Sequence, residues 1–380
     1  MIYLDSAATT PVRREVLEAM WPYLTGEFGN ASSHHSLGES AARALTGARA
    51  SVAEIFHCRT SEVVFTSGGT EADNLAIKGL ALGGSRGRHI VTSAIEHEAV
   101  LASCDYLRRQ HGFEITYLPV DRFGMVSAEQ ARLAIRPDTA ICSIMLANNE
   151  VGTIEPIAAI SELTRSLQVP MHTDAVQGAG LLSLDVRAVG VDALSISGHK
   201  VGAPKGVGAL YLRGRLQLEP VLHGGGQERG RRSGTENVAS AVGLATALQL
   251  AETSRLERVQ RTTLLRDELI QGVLTTVPDA MLTGHPTHRL AGNASFCFPG
   301  TSGEAVLLQL EQREILCSSG SACAAGSDQP SHVLVGMGIA PEVAQTAVRF
   351  TLGDTVSREQ ILRAIRAVRE ACEAVRAITR

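Results

Sequence analysis

From about residue 60 the chain alternates short apolar runs with longer amphipathic ones. "EVVFTS", "HIVTSA", "EITYLPV", "AICSIML", "VPMHTDA", "ALSIS" and "VGALYL" each read as a short strand, most of them buried on both faces. Between them, "TEADNLAIKGLAL", "EAVLASCDYLRR" and "PIAAISELTRSLQ" carry helical periodicity. In the last of these Pro156 suits the first helical turn, and Ile157, Ile160, Leu163 and Leu167 fall on one face. Strands alternating with helices predict an α/β fold, a mostly parallel sheet covered by helices on both sides.

The texture changes after two long helical patterns near 236–251 and 255–275. "NASFCF", "EILCS" and "AVRFTL" read as strands, separated by helices near 303–313 and 357–378. The last helix opens with a capping box, Ser357 to Gln360, and carries the stripe Ile361, Ile365, Val368, Cys372 and Val375. We expect a large domain over 14–253. A smaller α+β domain takes 254–380 together with residues 1–13, because a terminal segment needs an anchor.

A length of 380 residues fits two domains, and 44% apolar with 19% charged residues fits a globular chain with a sizeable core. The formal net charge is −4 with no block of one sign, which argues against nucleic acid or a membrane surface as the main partner. The start "MIYLDSAATTPVRREV" lacks the basic and apolar parts of a signal peptide, so a cytoplasmic location is expected. The sequons at Asn30 and Asn293 are then chance matches. Seven cysteines, odd in number and widely spaced, form no C-x-x-C pair, which argues against a disulfide framework or a closed zinc site. Cys142 and Cys297 sit inside apolar runs and read as core residues.

Chemistry enters at the strand ends. "FTSGGTEADN" is a strand, a Gly-Gly turn and a helix. Gly69 permits close approach of a ligand, and Thr70 opens a helix whose first N–H groups favour an anion. Taken alone this is an ordinary βα turn. The motifs G-x-x-x-x-G-K-[ST] and G-x-G-x-x-G after a strand do not occur, which argues against a nucleoside triphosphate or a dinucleotide. Asp174 ends one apolar strand and Lys200 follows the next, so both can face the crevice at the strands' C-terminal ends. A lysine able to form a Schiff base, a carboxylate for a pyridinium nitrogen and a helix N-terminus for a phosphate are the parts of a pyridoxal phosphate site. His97, just past another strand end, is positioned to lie over the ring.

With these residues in view the chain resembles the cysteine desulfurases, pyridoxal-phosphate enzymes of the class V aminotransferase group with fold-type I architecture. The resemblance rests on "YLDSAATTP", "FGNASS", "FTSGGTEADNLAIKG", "EHEAVL", "ANNEVGT", "HTDAVQ", "SISGHKVGAPKGVGALY", "GGGQERGRRSGTEN" and "SSGSACAAG", in this order along the chain. It implies a seven-stranded, mostly parallel sheet between helices. It also implies Lys200 as the cofactor lysine, Asp174 as the pyridinium partner, Gln177 as the donor to the ring hydroxyl and His97 stacked on the ring. Gly69, Thr70, Ser197 and His199 match phosphate contacts. Thr235 matches the threonine that reaches the phosphate of a second subunit, which implies an obligate homodimer. Asn149 and Arg349 match the contacts to the substrate carboxylate, a task that suits a planar guanidinium. Gly69 stands where alanine is frequent, and His34 where another residue often stands; neither removes a functional group.

The stretch "LCSSGSACAAGSDQPSH", residues 316–332, has the composition of an exposed, mobile loop. In the family pattern Cys323 is the nucleophile. The resemblance therefore implies that Lys200 removes the Cα proton of L-cysteine, with His97 as a proton shuttle near the sulfur. The Cys323 thiolate attacks that sulfur, leaving alanine and a Cys323 persulfide. The persulfide sulfur passes to an acceptor protein, such as an iron–sulfur scaffold or a tRNA-thiolation partner. No intrinsic metal is expected; whether Cys323 holds an iron–sulfur cluster in transit is left open. The rivals are an aminotransferase or selenocysteine lyase on the same scaffold, or a non-catalytic sulfur-transfer scaffold.

Overall fold

The computed structural model describes residues 1–320 and 329–379. The seven apolar runs form one sheet. Its spatial order is Val63–Thr66, Gly208–Leu212, Ala193–Ser197, Met171–Asp174, Thr139–Ser143, His89–Ser93 and Glu114–Leu118. Gly208–Leu212 runs antiparallel to both neighbours, and the other pairs are parallel. Six of the strands are wholly buried, as continuous apolar runs require when helices cover both faces. The edge strand Glu114–Leu118 is largely open to solvent.

Register makes the site. Asp174 pairs with Ser195, and the next strand ends at Ser197 before a single tight turn, Gly198–Lys200. Two parallel neighbours thus deliver Asp174 and Lys200 to the same edge of the sheet.

The helical readings at Gly69–Gly83, Glu98–His111, Val238–Thr253, Arg255–Thr276, Gly303–Gln312 and Arg358–Thr379 hold, with ends shifted by a residue or a few. The capping box closes both ways: Ser357 N–H donates to Gln360 Oε1 (2.9 Å), and Gln360 N–H to Ser357 Oγ (3.2 Å). Its stripe Ile361, Ile365, Val368, Cys372 and Val375 is buried. One expectation is corrected. Pro156 is the cap, the helix runs Ile157–Ser166, and Leu167 is exposed. Gln168 takes a left-handed φ of 57°, which ends the helix before Leu167 can join the stripe.

Two helices without a strong sequence signal, Arg14–Leu24 and Ser36–Ile55, pack on Val238–Thr253. Val16, Met20, Leu45 and Val52 meet Leu244 and Leu248 in the core beside the sheet. A separate buried cluster joins Ile2 and Leu4 to Phe296, Phe298, Phe350, Ile361 and Val368. It lies around the antiparallel sheet Ala347–Thr351, Asn293–Cys297, Met281–Thr283, while Ile2–Tyr3 pairs in parallel with Ile315–Leu316. No helix among the described residues is long and apolar enough to cross a membrane.

The Arg-rich segment is fixed by a buried ion pair. Arg49 Nη1 and Nη2 grip the two Glu228 oxygens at 2.6 Å each, and Phe65 N–H adds a third bond to Glu228 at 3.1 Å. Glu228 and Arg229 both take left-handed backbone, φ 50° and 59°. Such a conformation persists in non-glycine residues only where surrounding contacts enforce it. Glu228→Gln leaves the buried Arg49 charge uncompensated and is expected to cost about 3–5 kcal/mol in urea unfolding. Replacing both Arg49 and Glu228 by apolar residues should cost less than that single change.

His172 lies inside the sheet between Ser143 Oγ (2.8 Å) and Ser195 Oγ (2.9 Å). Burial lowers its pKa to about 3, so the folded ring stays neutral while the unfolded one titrates near the ordinary 6.5. A depressed histidine contributes stability that is present above 6.5 and is lost as pH falls towards 3. Comparing wild type with His172→Gln by urea unfolding, the difference should move in the variant's favour by about 1.4 kcal/mol per pH unit below 6.5. A constant difference between pH 7 and 5 would count against this.

Candidate active site

A cavity of about 570 Å³ opens at the C-terminal ends of the parallel strands. It is lined by most residues singled out from the sequence: Gly69, Thr70, His97, Asn149, Asp174, Gln177, Ser197, His199, Lys200 and Arg349. Its volume is ordinary for a small-ligand site. Thr235 is exposed and does not line it. Cys323 lies outside the described residues.

The helix Gly69–Gly83 starts without a side-chain cap, so its first N–H groups are available to an anion. A methyl group at Gly69 would come within 2.7 Å of Val176 Cγ2 and 3.4 Å of Ser197 Cβ, so backbone and strand end nearly touch here. Arg232 of the Arg-rich segment pairs with Glu71 in the first turn of this helix (Nε–Oε1 2.7 Å). His199 Nδ1 lies 3.1 Å from Thr9 Oγ1, and burial with the nearby Lys200 and Lys205 charges brings its pKa to about 4. The ring is therefore neutral at pH 7.

Asp174 is buried and accepts Val176 N–H at 2.9 Å. Burial raises its pKa, while His97, that hydrogen bond and Lys200 pull it down. His97 caps the helix Glu98–His111: its Nδ1 accepts Ala99 N–H at 3.1 Å, so the neutral ring carries its proton on Nε2. Lys200 Nζ donates to the carbonyls of Ala7 (2.5 Å) and Ala8 (2.8 Å). Gln177 Nε2 donates to the same Ala7 carbonyl at 3.1 Å.

Arg349, in the strand Ala347–Thr351, is 2% exposed. Its Nη1 reaches the carbonyls of Asn149 (2.8 Å) and Gly320 (3.2 Å). Its Nη2 reaches Asp5 Oδ1 (2.9 Å) and Ser318 Oγ (2.7 Å). The cavity thus joins residues from the sheet's strand ends, the N-terminal segment and the antiparallel sheet.

Several lining residues carried no sequence assignment. Asp73 is fully buried, with Oδ1 lacking a hydrogen-bond partner, and groups of Asp73, His97 and Asp174 lie within 4.8 Å of one another. Burial and the neighbouring Asp174 and Glu96 raise its pKa well above the carboxylate range. Glu96 accepts Ser93 O–H (2.5 Å) and Met145 N–H (3.0 Å), and burial lifts it to about 8. Glu150 accepts Ser331 O–H at 2.5 Å. The signal for Asp73 was its spacing: it shares a helix face with Ile77 and Leu80, where a solvated acid does not belong. Asp5, Ala7 and Ala8 lay in a quoted motif, but backbone carbonyls leave no mark in residue types.

The chain matches the family model "Aminotransferase class-V" over residues 2–363. It is 48% identical over 377 residues to a cysteine desulfurase IscS of Methanosarcina thermophila, covering 99% of this chain and 93% of that one. Among solved structures, a NifS-like protein superposes with a TM-score of 0.91 at 35% identity, covering 97% of this chain and 98% of the other. "SspA in complex with cysteine" superposes with a TM-score of 0.79 at 37% identity, over 93% and 99% of the two chains. With its seven-stranded sheet and the cavity at the strand ends, the chain belongs to the class-V aminotransferase family, among the cysteine desulfurases.

Proposed function

We propose that this chain removes sulfur from L-cysteine, with pyridoxal 5'-phosphate as cofactor, and passes the sulfur through Cys323 to an acceptor protein. The observation that carries the reading is the convergence of Lys200, Asp174, His97 and Arg349 on one cavity in a cysteine desulfurase chain. The residues fit the cofactor. The uncapped helix start at Gly69 and Thr70, with Ser197 and neutral His199, suits its phosphate. Asp174 is a buried acid for the ring nitrogen, Gln177 an amide donor for the ring hydroxyl, and His97 a ring beside Asp174. When bound, pyridoxal phosphate supplies a protonated ring that takes up the electrons released at the substrate's Cα.

The chain's own groups do the rest. Arg349 and Asn149 orient the substrate carboxylate. The Lys200 amine, held near the Ala7 and Ala8 carbonyls, takes and returns the Cα proton. His97, with its proton on Nε2, moves a proton near the sulfur. The Cys323 thiolate forms an S–S bond to the substrate sulfur as the Cβ–S bond breaks, and protonation of the carbon fragment yields alanine. The family's sulfur chemistry and the cysteine carried by one structural relative support this substrate over a keto-acid exchange.

A homodimer is part of the same reading. Thr235 is exposed, and Leu17, Trp21, Leu24 and Phe28 are large apolar side chains open to solvent. The reading also includes a cytoplasmic setting and a division into 14–253 and 1–13 with 254–380, supported by the separate cores around Leu244 and Phe350.

Lys200→Ala is expected to abolish alanine formation and the visible absorbance of the lysine-linked cofactor together. Cys323→Ser should keep that absorbance yet lose transfer of sulfur to an acceptor. Unaltered alanine production by Cys323→Ser with an acceptor present would remove the nucleophile assignment.

A further inference from the structure

A guanidinium has five N–H donors. In Arg349 the four Nη hydrogens have four acceptors: Asn149 O, Gly320 O, Asp5 Oδ1 and Ser318 Oγ. Nε–H is buried and has no partner among the described residues. A carboxylate gripped through two hydrogen bonds needs two adjacent donors. One is spare, so one present partner must yield the other.

The four partners differ in what yielding costs. Asn149 O and Gly320 O are backbone carbonyls, and the Ser318 hydroxyl is neutral. Ser318 is also fixed by backbone bonds in both directions with Arg349: Ser318 N–H to Arg349 O (3.3 Å) and Arg349 N–H to Ser318 O (2.7 Å). Asp5 alone is charged, and it carries the same sign as an incoming carboxylate. Two carboxylates on one buried guanidinium repel. The Asp5 side chain is 18% exposed against 2% for Arg349, so it has water to turn to.

We infer that Asp5 is a stand-in for the substrate carboxylate on Arg349, exchanged when an α-carboxylate binds, and that it thereby sets the affinity of the site for carboxylate ligands. Asp5 is a positioning residue in this role: it holds the guanidinium ready and makes each carboxylate ligand compete for it. The inference rests on Arg349 receiving the substrate carboxylate. Its main chain need not move. The bond from Ser6 N–H to Thr351 O (3.1 Å) and that from Thr351 N–H to Leu4 O (2.7 Å) fix the backbone on either side.

The test uses the holoenzyme and 3-mercaptopropionate, which has the thiol and carboxylate of the substrate but no amine to react with the cofactor. Calorimetric titration should give a dissociation constant roughly tenfold lower for Asp5→Asn than for wild type, within the usual range for two ligands coupled through one group. Asp5→Glu should stay near wild type, and the uncharged methyl ester should bind all three alike. KM for L-cysteine should fall in Asp5→Asn while kcat changes less. Weaker binding of 3-mercaptopropionate by Asp5→Asn, restored by Asp5→Glu, would overturn the exchange and leave Asp5 as a fixed orienting group; unchanged binding would overturn it too. Arg349→Gln separates this failure from that of the underlying reading. If its binding of 3-mercaptopropionate equals wild type, Arg349 does not receive the carboxylate at all. Should Asp5→Asn not fold, Asp5→Ser, which also removes the charge, takes its place with the same expected gain.

Discussion

Nine residues at the start of the chain hold the cavity's working groups in register. Ile2 and Leu4 are buried in the cluster around Phe296 and Phe350. From that anchor the backbone runs past the cavity, where Asp5 meets Arg349 and the Ala7 and Ala8 carbonyls meet Lys200. Ala7 O also accepts from Gln177, and Thr9 and Thr10 bond His199. The sheet alone delivers Asp174, Gln177, His199 and Lys200 to one edge. It does not orient the last three; hydrogen bonds to this strap do. The strap is held in turn by Thr351, whose hydroxyl accepts Ala7 N–H at 2.9 Å.

Electrostatics narrows what the cavity can do. Asp73, Glu96 and Asp174 are all buried beside it, and burial works against ionising any of them. For Asp174 burial raises the pKa, and His97, the Val176 N–H bond and Lys200 offset part of that rise. Glu96, lifted to about 8, keeps its proton at neutral pH, and burial with the neighbouring Asp174 and Glu96 shifts Asp73 in the same direction. Lys200 and Arg349 place basic groups in the lining, which suits anionic ligands.

Much of this was legible in the sequence, and the parts that were not share a cause. The seven strands were read because each is a short run rich in apolar residues, six of them wholly buried. Asp174 and Lys200 were read because strand ends can be located from those runs. The helices Arg14–Leu24 and Ser36–Ile55 were not predicted: their many polar and small residues blur the apolar pattern, and their buried face packs against Val238–Thr253. Leu167 was placed on a helical face that stops one residue earlier, because periodicity carries no information on where the backbone turns left-handed. Asp5 and Glu228 were passed over for a related reason. Each matters through a partner far away in sequence, Arg349 and Arg49, and no local pattern records that pairing.

The strap's long reach bears on how the molecule is made. Asp5 and Arg349 are 344 positions apart, and Ala7 is equally far from Thr351. During synthesis the strap leaves the ribosome before the main sheet, while the strand that seats it, Ala347–Thr351, follows that sheet. The main sheet can form earlier from its own neighbours, but the lysine-bearing turn has no seated strap until Ala347–Thr351 has emerged. Nascent chains halted before residue 351 would therefore have a sheet without a finished binding site.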